Sequence, residues 1–213
     1  MAIAAIDGPG LSHMLVFAAD EIARREAELN ALDAAVGDGD HGITMRNGFE
    51  AIRERLGQID PATSIDGILR ESGSAFLGAT GGAIGVVMGK MLMAGGKALQ
   101  GIHEIRAPEF RLLLASMETS VATTGKVKVG DRTILDAIHA AAAACDSGAQ
   151  DLDAMVELSA SAAQGAARST ADMLCRVGRA SRLGNRVLGH PDPGATSFGI
   201  MLGAMSDWIR AHP

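Results

Sequence analysis

The chain has 213 residues, 47% of them hydrophobic, which suits one domain over residues 1–213 with a core of its own and calls for no second. Formal charge is −6 with no basic run, so the Lys/Arg footprint that a nucleic acid demands is missing. Cys145 and Cys175 lie far apart and the Met1–Leu11 stretch is too short and uncharged for a signal peptide, which fits a reducing cytoplasm.

Apolar residues at Leu11, Met14, Leu15, Ala18, Ile22 and Leu29 repeat every three or four positions, predicting a first amphipathic helix that runs to about Leu32. Similar stripes predict helices at roughly 43–56, 64–77, 83–100, 108–123, 132–147, 151–174 and 193–210. No alternating strand pattern appears, and aromatic and β-branched residues are scarce beside Ala and Gly. The fold class is therefore all-α, about eight helices. The uncharged window Ser72–Gly89 is long enough to raise a membrane span, but its six glycines and its hydroxyls argue against one.

The breaks carry the unusual chemistry. GDGDHG (37–42), GATGGAIG (78–85), GKVKVGDRT (125–133) and GRASRLGNRVLGHPDPGAT (178–196) follow the first, third, fifth and seventh helices. If neighbouring helices run antiparallel through short loops, every second connection lies at one end of the bundle. Four Gly-rich loops should then meet on one rim.

Asp33, Asp38 and Asp40 crowd into eight positions, and Asp38 and Asp40 flank a glycine, so both can point the same way while Asp33 reaches over from the first helix. Three acidic oxygens at one point suit a hard cation such as Mg²⁺, with waters and phosphate oxygens completing the shell. An EF-hand starting at Asp38 would need an oxygen ligand at Gly42 and an acid at Phe49, and has neither. Taken singly, each aspartate reads equally well as a helix cap or a solvated turn residue. His41 and Gly42 open the second helix, whose free N–H groups could meet an anion; His41 itself could cap or hold a carboxylate, but a phosphate-binding or loop-orienting role is the favoured reading. GATGGAIGVVMGK is not a P-loop, because Ile84 occupies the position of its first glycine and Met91 that of its Ser/Thr. Asp192 before Pro193 reads as an N-cap, as does Asp131 before Arg132 and Thr133. Arg179 is either a solvated charge or a phosphate clamp.

In order, LDAAVGDGDHG, GGAIG, GKVKVGDRTILD, GRASRLG and GHPDPGATS resemble, over almost the whole chain, the DhaL family, the nucleotide-binding (L) subunit of dihydroxyacetone kinase. The resemblance implies an up-and-down barrel of eight amphipathic helices with ADP or ATP at one rim, bound through two Mg²⁺ ions on Asp33, Asp38 and Asp40. His41, Gly42, Ile43 and Thr44 would line the phosphates, with Ala83, Ile84, Gly125, Thr133 and Ile134 beside the nucleotide. Arg179 and the Asp192-Pro193-Gly194 turn would close the site. The implied reaction is phosphoryl transfer to a ketose held covalently on a histidine of a separate K subunit, with a phosphohistidine-carrying M subunit rephosphorylating the ADP in some systems. Where the family usually shows GGASG and GRASYLGER, this chain has Ile84, Arg182 and Asn185. A related short ketose such as a tetrulose would tolerate those changes. Two other readings stand beside this one: an ADP-loaded module docking on a transcription regulator, and the nucleotide domain of a fatty-acid kinase, against which the chain's ending at Pro213 counts. With both cysteines expected at helical positions, no nucleophile is expected beside the metals.

Overall fold

The computed structural model describes residues 4–146, 148, 149 and 151–212, without the side chain of Arg179. Among them are nine α-helices: α1 (Gly8–Arg24), α2 (Glu26–Ala34), α3 (His41–Leu56), α4 (Ile65–Ala79), α5 (Gly82–Ala98), α6 (Ala107–Gly125), α7 (Ile134–Ala144), α8 (Leu152–Ser169) and α9 (Pro193–Ala211). Short 3-10 segments cover Thr170–Asp172 and Arg179–Val187. No strand occurs among the described residues; one antiparallel bridge joins Ile6 to Ile105 at the end opposite the Gly-rich loops.

Each helix packs on the next, and α9 returns against α1, so the ring closes as an up-and-down barrel. Its starts are written locally. Asp7 accepts the Gly10 N–H at 2.8 Å to open α1, Thr133 and Asp136 form a capping box on α7, and the Asp192 side chain accepts the Ala195 N–H on α9 with Pro193 following. The apolar stripes turn inward as one cluster including Leu15, Ile22, Met45, Phe49, Phe76 and Phe198, in which the Phe49 and Phe76 rings meet edge to face at 5.8 Å. α4 and α5 approach most closely across Gly73 and Gly89: a Cβ on Gly73 would lie 2.5 Å from the Gly89 carbonyl oxygen. The Gly-rich face of α5 is thus a packing face.

Two boundaries depart outright from the sequence expectation, while the other helix ends shift by no more than about three residues. The first helix is interrupted at Arg25, which leaves helical geometry (φ −101°, ψ 9°) and shares its N–H between the Glu21 and Ile22 carbonyls. No Gly or Pro marks this break. The seventh predicted helix stops at Ser169 rather than 174, because the chain is captured by distant partners: Thr170 Oγ1 accepts the Asp192 N–H, and Arg176 N–H bonds to the Asp131 carbonyl. Cys175 is consequently in a loop, which corrects the expectation that both cysteines are helical; Cys145 ends α7 and is buried. No helix among the described residues is long and apolar enough to cross a membrane, and the window at 72–89 is broken at Thr80–Gly81.

Candidate functional site

α2, α4, α6 and α8 all end at one rim, and the four loops that follow them meet there. They enclose a cleft of about 380 Å³ lined by Asp33, Asp38, His41, Ala83, Ile84, Gly125, Thr133, Ile134, Asp192, Pro193 and Gly194, among others. A polar notch of about 410 Å³ adjoins it, lined by Asp33, Asp38, Asp40, His41, Thr44 and Gly81–Ile84. Both volumes fall in the usual range for small-ligand sites.

The carboxylates come together as the spacing predicts. Asp33, Asp38 and Asp40 each offer an oxygen within 4.8 Å of the others. Asp33 Oδ2 accepts the N–H groups of Gly39 (2.8 Å) and Asp40 (3.0 Å), so it folds the loop around itself. Gly39 turns that loop at φ +81°, a left-handed value that any side chain would strain. Asp40 occupies the N-cap position of α3, yet its side chain makes no capping bond. The capping reading therefore fails for Asp40, while for Asp192 it holds.

His41 is buried and tied to the start of α9: its Nε2 lies 3.1 Å from Ser197 Oγ, and it is also hydrogen-bonded to the Pro193 backbone. Burial pushes its pKa down to about 4 against the opposing pull of Asp33, leaving a neutral imidazole at pH 7. Gly42 and Ile43 are not among the lining residues. A Cβ on Gly42 would stand 2.2 Å from the Glu26 carbonyl oxygen, so this glycine lets α3 press against α2. The Ile43 N–H donates to Asn30 Oδ1 at 3.2 Å, and its side chain is exposed.

On the opposite wall, Thr133 Oγ1 accepts the Leu135 N–H, while Asp136 accepts the N–H groups of Gly130 (2.5 Å) and Thr133 (2.7 Å). Burial pushes the Asp192 carboxyl up to about 6, countered by its bond from the Ala195 N–H and by the Arg132 charge. Arg179 begins a 3-10 segment between Gly178 and Ala180, which both line the cleft; its side chain lies outside the described residues. Arg182 and Asn185 are exposed and away from the cleft, whereas Ile84 lines both spaces.

Sequence reasoning missed part of the wall. Val87, Val121, Val127 and Val177 line the cleft, as do Cys175 and the buried Arg132. The valines carried only the signal of core residues, and Arg132 that of a loop charge. Exposed apolar side chains at Ile43, Val86, Val129, Leu174 and Leu188 are borne on the same rim loops and helix starts.

This closed ring of helices has known counterparts. The DAK2 domain model matches residues 35–207. The chain belongs to the DAK2 domain family, in its DhaL group. Among curated relatives, this DAK2-domain chain is 36% identical over 177 residues to the "PEP-dependent dihydroxyacetone kinase, ADP-binding subunit DhaL" of Escherichia coli, covering 82% of this chain and 84% of that one. It is 32% identical to a D-erythrulose kinase of Mycolicibacterium smegmatis, covering 90% of this chain but 34% of that protein. The crystal structure of the dihydroxyacetone kinase from C. freundii in complex with AMP-PNP and Mg²⁺ superposes with a TM-score of 0.71 at 26% identity, covering 92% of this chain and 33% of that one. The family is one of kinases, and the DAK2-domain chain is a phosphotransferase component.

Proposed function

We propose that the chain is the nucleotide-carrying, phosphoryl-donor subunit of a cytoplasmic kinase for dihydroxyacetone or a related short ketose. The observation that carries this reading is the meeting of Asp33, Asp38 and Asp40 within 4.8 Å, beside the first turn of α3 and a cleft of nucleotide dimensions. An all-oxygen, trianionic set fits Mg²⁺ far better than a soft metal, and without cations it would repel a polyphosphate. Two Mg²⁺ ions held by these carboxylates would neutralise the di- or triphosphate of ADP or ATP and the charge that spreads over the transferred group.

The chain's own residues divide the remaining work. α3 directs its N-terminus and Thr44 toward the phosphates from the notch, while Ala83, Ile84, Ile134, Pro193 and the valines supply an apolar slot for the base. Gly125 and Gly194 keep the backbone close on either side of it. Neutral, doubly tied His41 braces α3 against α9, which fits a positioning role. Arg179 is our candidate for the side chain that meets charge developing on the transferred phosphoryl group.

This chain needs no nucleophile of its own: the ketose hydroxyl, delivered on a K subunit that holds the ketose covalently, would attack the γ-phosphorus, with ADP as the leaving group. The apolar side chains around the rim suit docking of such a partner. An M-type phosphohistidine subunit, where present, would reach the same nucleotide from the same side. The D-erythrulose kinase among the relatives supports acceptors longer than dihydroxyacetone.

The test is reconstitution. The purified chain is mixed with Mg-ATP and candidate K subunits, and ketose phosphate is followed with dihydroxyacetone and with tetruloses. Product only when both proteins are present supports the proposal. Tight ADP binding without product from any K subunit would refute the donor role and favour an ADP-loaded module that docks on a regulator. Phosphate transfer to a fatty acid instead would favour a fatty-acid kinase system.

A further inference from the structure

The long segment between α8 and α9 supplies one whole wall of the cleft, through Cys175, Val177, Gly178 and Ala180, and ends in the Asp192-Pro193-Gly194 turn. Its regular structure is slight: two short 3-10 pieces, the second kinked at Gly184, whose φ of 56° is non-helical. Something else must hold it in place.

Arg132 is that anchor. It is 1% exposed, the largest fully buried side chain described, and it adopts a left-handed φ of 63°, unusual for a residue with a Cβ. Its guanidinium joins carbonyls from the two ends of the segment. Nε donates to Thr170 O at 3.2 Å, and Nη2 donates to His190 O at 2.5 Å and, at 3.4 Å, to Val187 O. These contacts grip the start of the segment, the end of its second 3-10 piece, and the approach to α9. Thr170 passes the hold onward, since its hydroxyl accepts the Asp192 N–H at 2.7 Å. Beside it, the Asp131 carbonyl accepts the Arg176 N–H.

Nη1 is buried and has no acceptor among the described residues. A guanidinium with an unanswered buried donor is a poor device for stability alone, and an apolar residue of similar size would remove the penalty. Only a planar fork reaches three carbonyls in different directions, and a lysine ammonium on its single stem does not.

We propose that Arg132 is a positioning residue for the nucleotide: acting through the carbonyls of Thr170, Val187 and His190, it holds the long segment in the register in which the cleft accepts its ligand. This rests on the nucleotide-binding reading above. The carboxylate cluster, carried by α2 and the loop into α3, is independent of that hold.

The experiment compares the full chain with Arg132→Lys and Arg132→Met. ADP affinity and stoichiometry are measured by calorimetry in Mg²⁺, Mn²⁺ binding without nucleotide serves as the internal control, and hydrogen exchange is followed over residues 170–191. Arg132→Lys should weaken ADP roughly tenfold or more at full stoichiometry, by misplacing the wall rather than by unfolding part of the sample. Mn²⁺ affinity should stay at the wild-type value, and exchange in 170–191 should rise. ADP affinity equal to wild type in Arg132→Lys overturns the proposal, as does a loss of stoichiometry in ADP and Mn²⁺ binding together, which marks a general structural role. If neither variant folds, the wild-type chain decides: amides of 176–189 that exchange at unprotected rates with and without ADP contradict the anchor, and protection that deepens with ADP supports it. A wild-type chain that binds no nucleotide would instead sink the reading on which this rests.

Discussion

Asp192 presents a conflict between folding and site chemistry that can be measured. Its side chain caps α9, but its carboxyl is enclosed, and burial raises its pKa from 3.8 to about 6. The native state therefore holds the proton more tightly than the unfolded chain does. Between pH 3.8 and about 6 the folded state binds more protons, so stability falls as pH rises through that window and is flat above it. At about 1.4 kcal/mol per pKa unit, the ionised carboxylate costs the metal-free, nucleotide-free protein on the order of 3 kcal/mol at pH 7, as an upper figure. Asparagine keeps the cap acceptor and removes the charge. Asp192→Asn should thus be more stable than wild type by about 1–3 kcal/mol at pH 7, with the gap closing toward pH 4, where the wild-type carboxyl is protonated. Urea denaturation in EDTA at pH 4, 5, 6 and 7 measures this. A gap that is constant with pH, or an asparagine variant that is the less stable at pH 7, would show that the Asp192 carboxyl is not held protonated by burial.

Three further outcomes follow from particular contacts. Gly73→Ala should cost about 1–3 kcal/mol in chemical denaturation, because its methyl would meet the Gly89 carbonyl and force α4 from α5; an unchanged midpoint contradicts that packing. Cys145 is buried with its thiol pKa pushed up by desolvation, whereas Cys175 is partly exposed on the cleft wall, so iodoacetamide at neutral pH should label Cys175 first, and Mg-ADP should slow it. Faster labelling of Cys145, or no protection by Mg-ADP, would count against the assignment. With His41 neutral and tied to Ser197 and Pro193, incubation with γ-labelled ATP should leave no stable label on the chain; stoichiometric phosphohistidine at position 41 would overturn the role given to it.

The parts of the molecule written in local patterns are legible in the sequence. Apolar residues three and four apart located the helices, and the alternation of Gly-rich and ordinary connections located the rim, because both depend only on neighbours in sequence. The meeting of Asp33, Asp38 and Asp40 was legible for the same reason, all three lying within eight positions at the end of α2 and the tight loop after it. What escaped depends on distant partners. The end of α8 is set by Thr170 and Arg176 reaching residues 131 and 192, so the stripe that seemed to continue toward 174 gave no warning, and Cys175 changed from helix to cleft wall. Arg132 looked like one more loop charge until three carbonyls more than thirty positions away closed around it. Gly42, expected beside phosphate, also serves the contact between α2 and α3, which its place in the sequence did not announce.

Three carboxylates facing a polyphosphate should admit a nucleotide only through divalent cations. Calorimetric titration of ADP into the metal-stripped chain, with Mg²⁺ and with EDTA, addresses it directly, with Asp38→Ala as the paired variant. ADP should bind in Mg²⁺ and not in EDTA, and Asp38→Ala should bind it in neither condition. Equal ADP affinity with and without EDTA would contradict it.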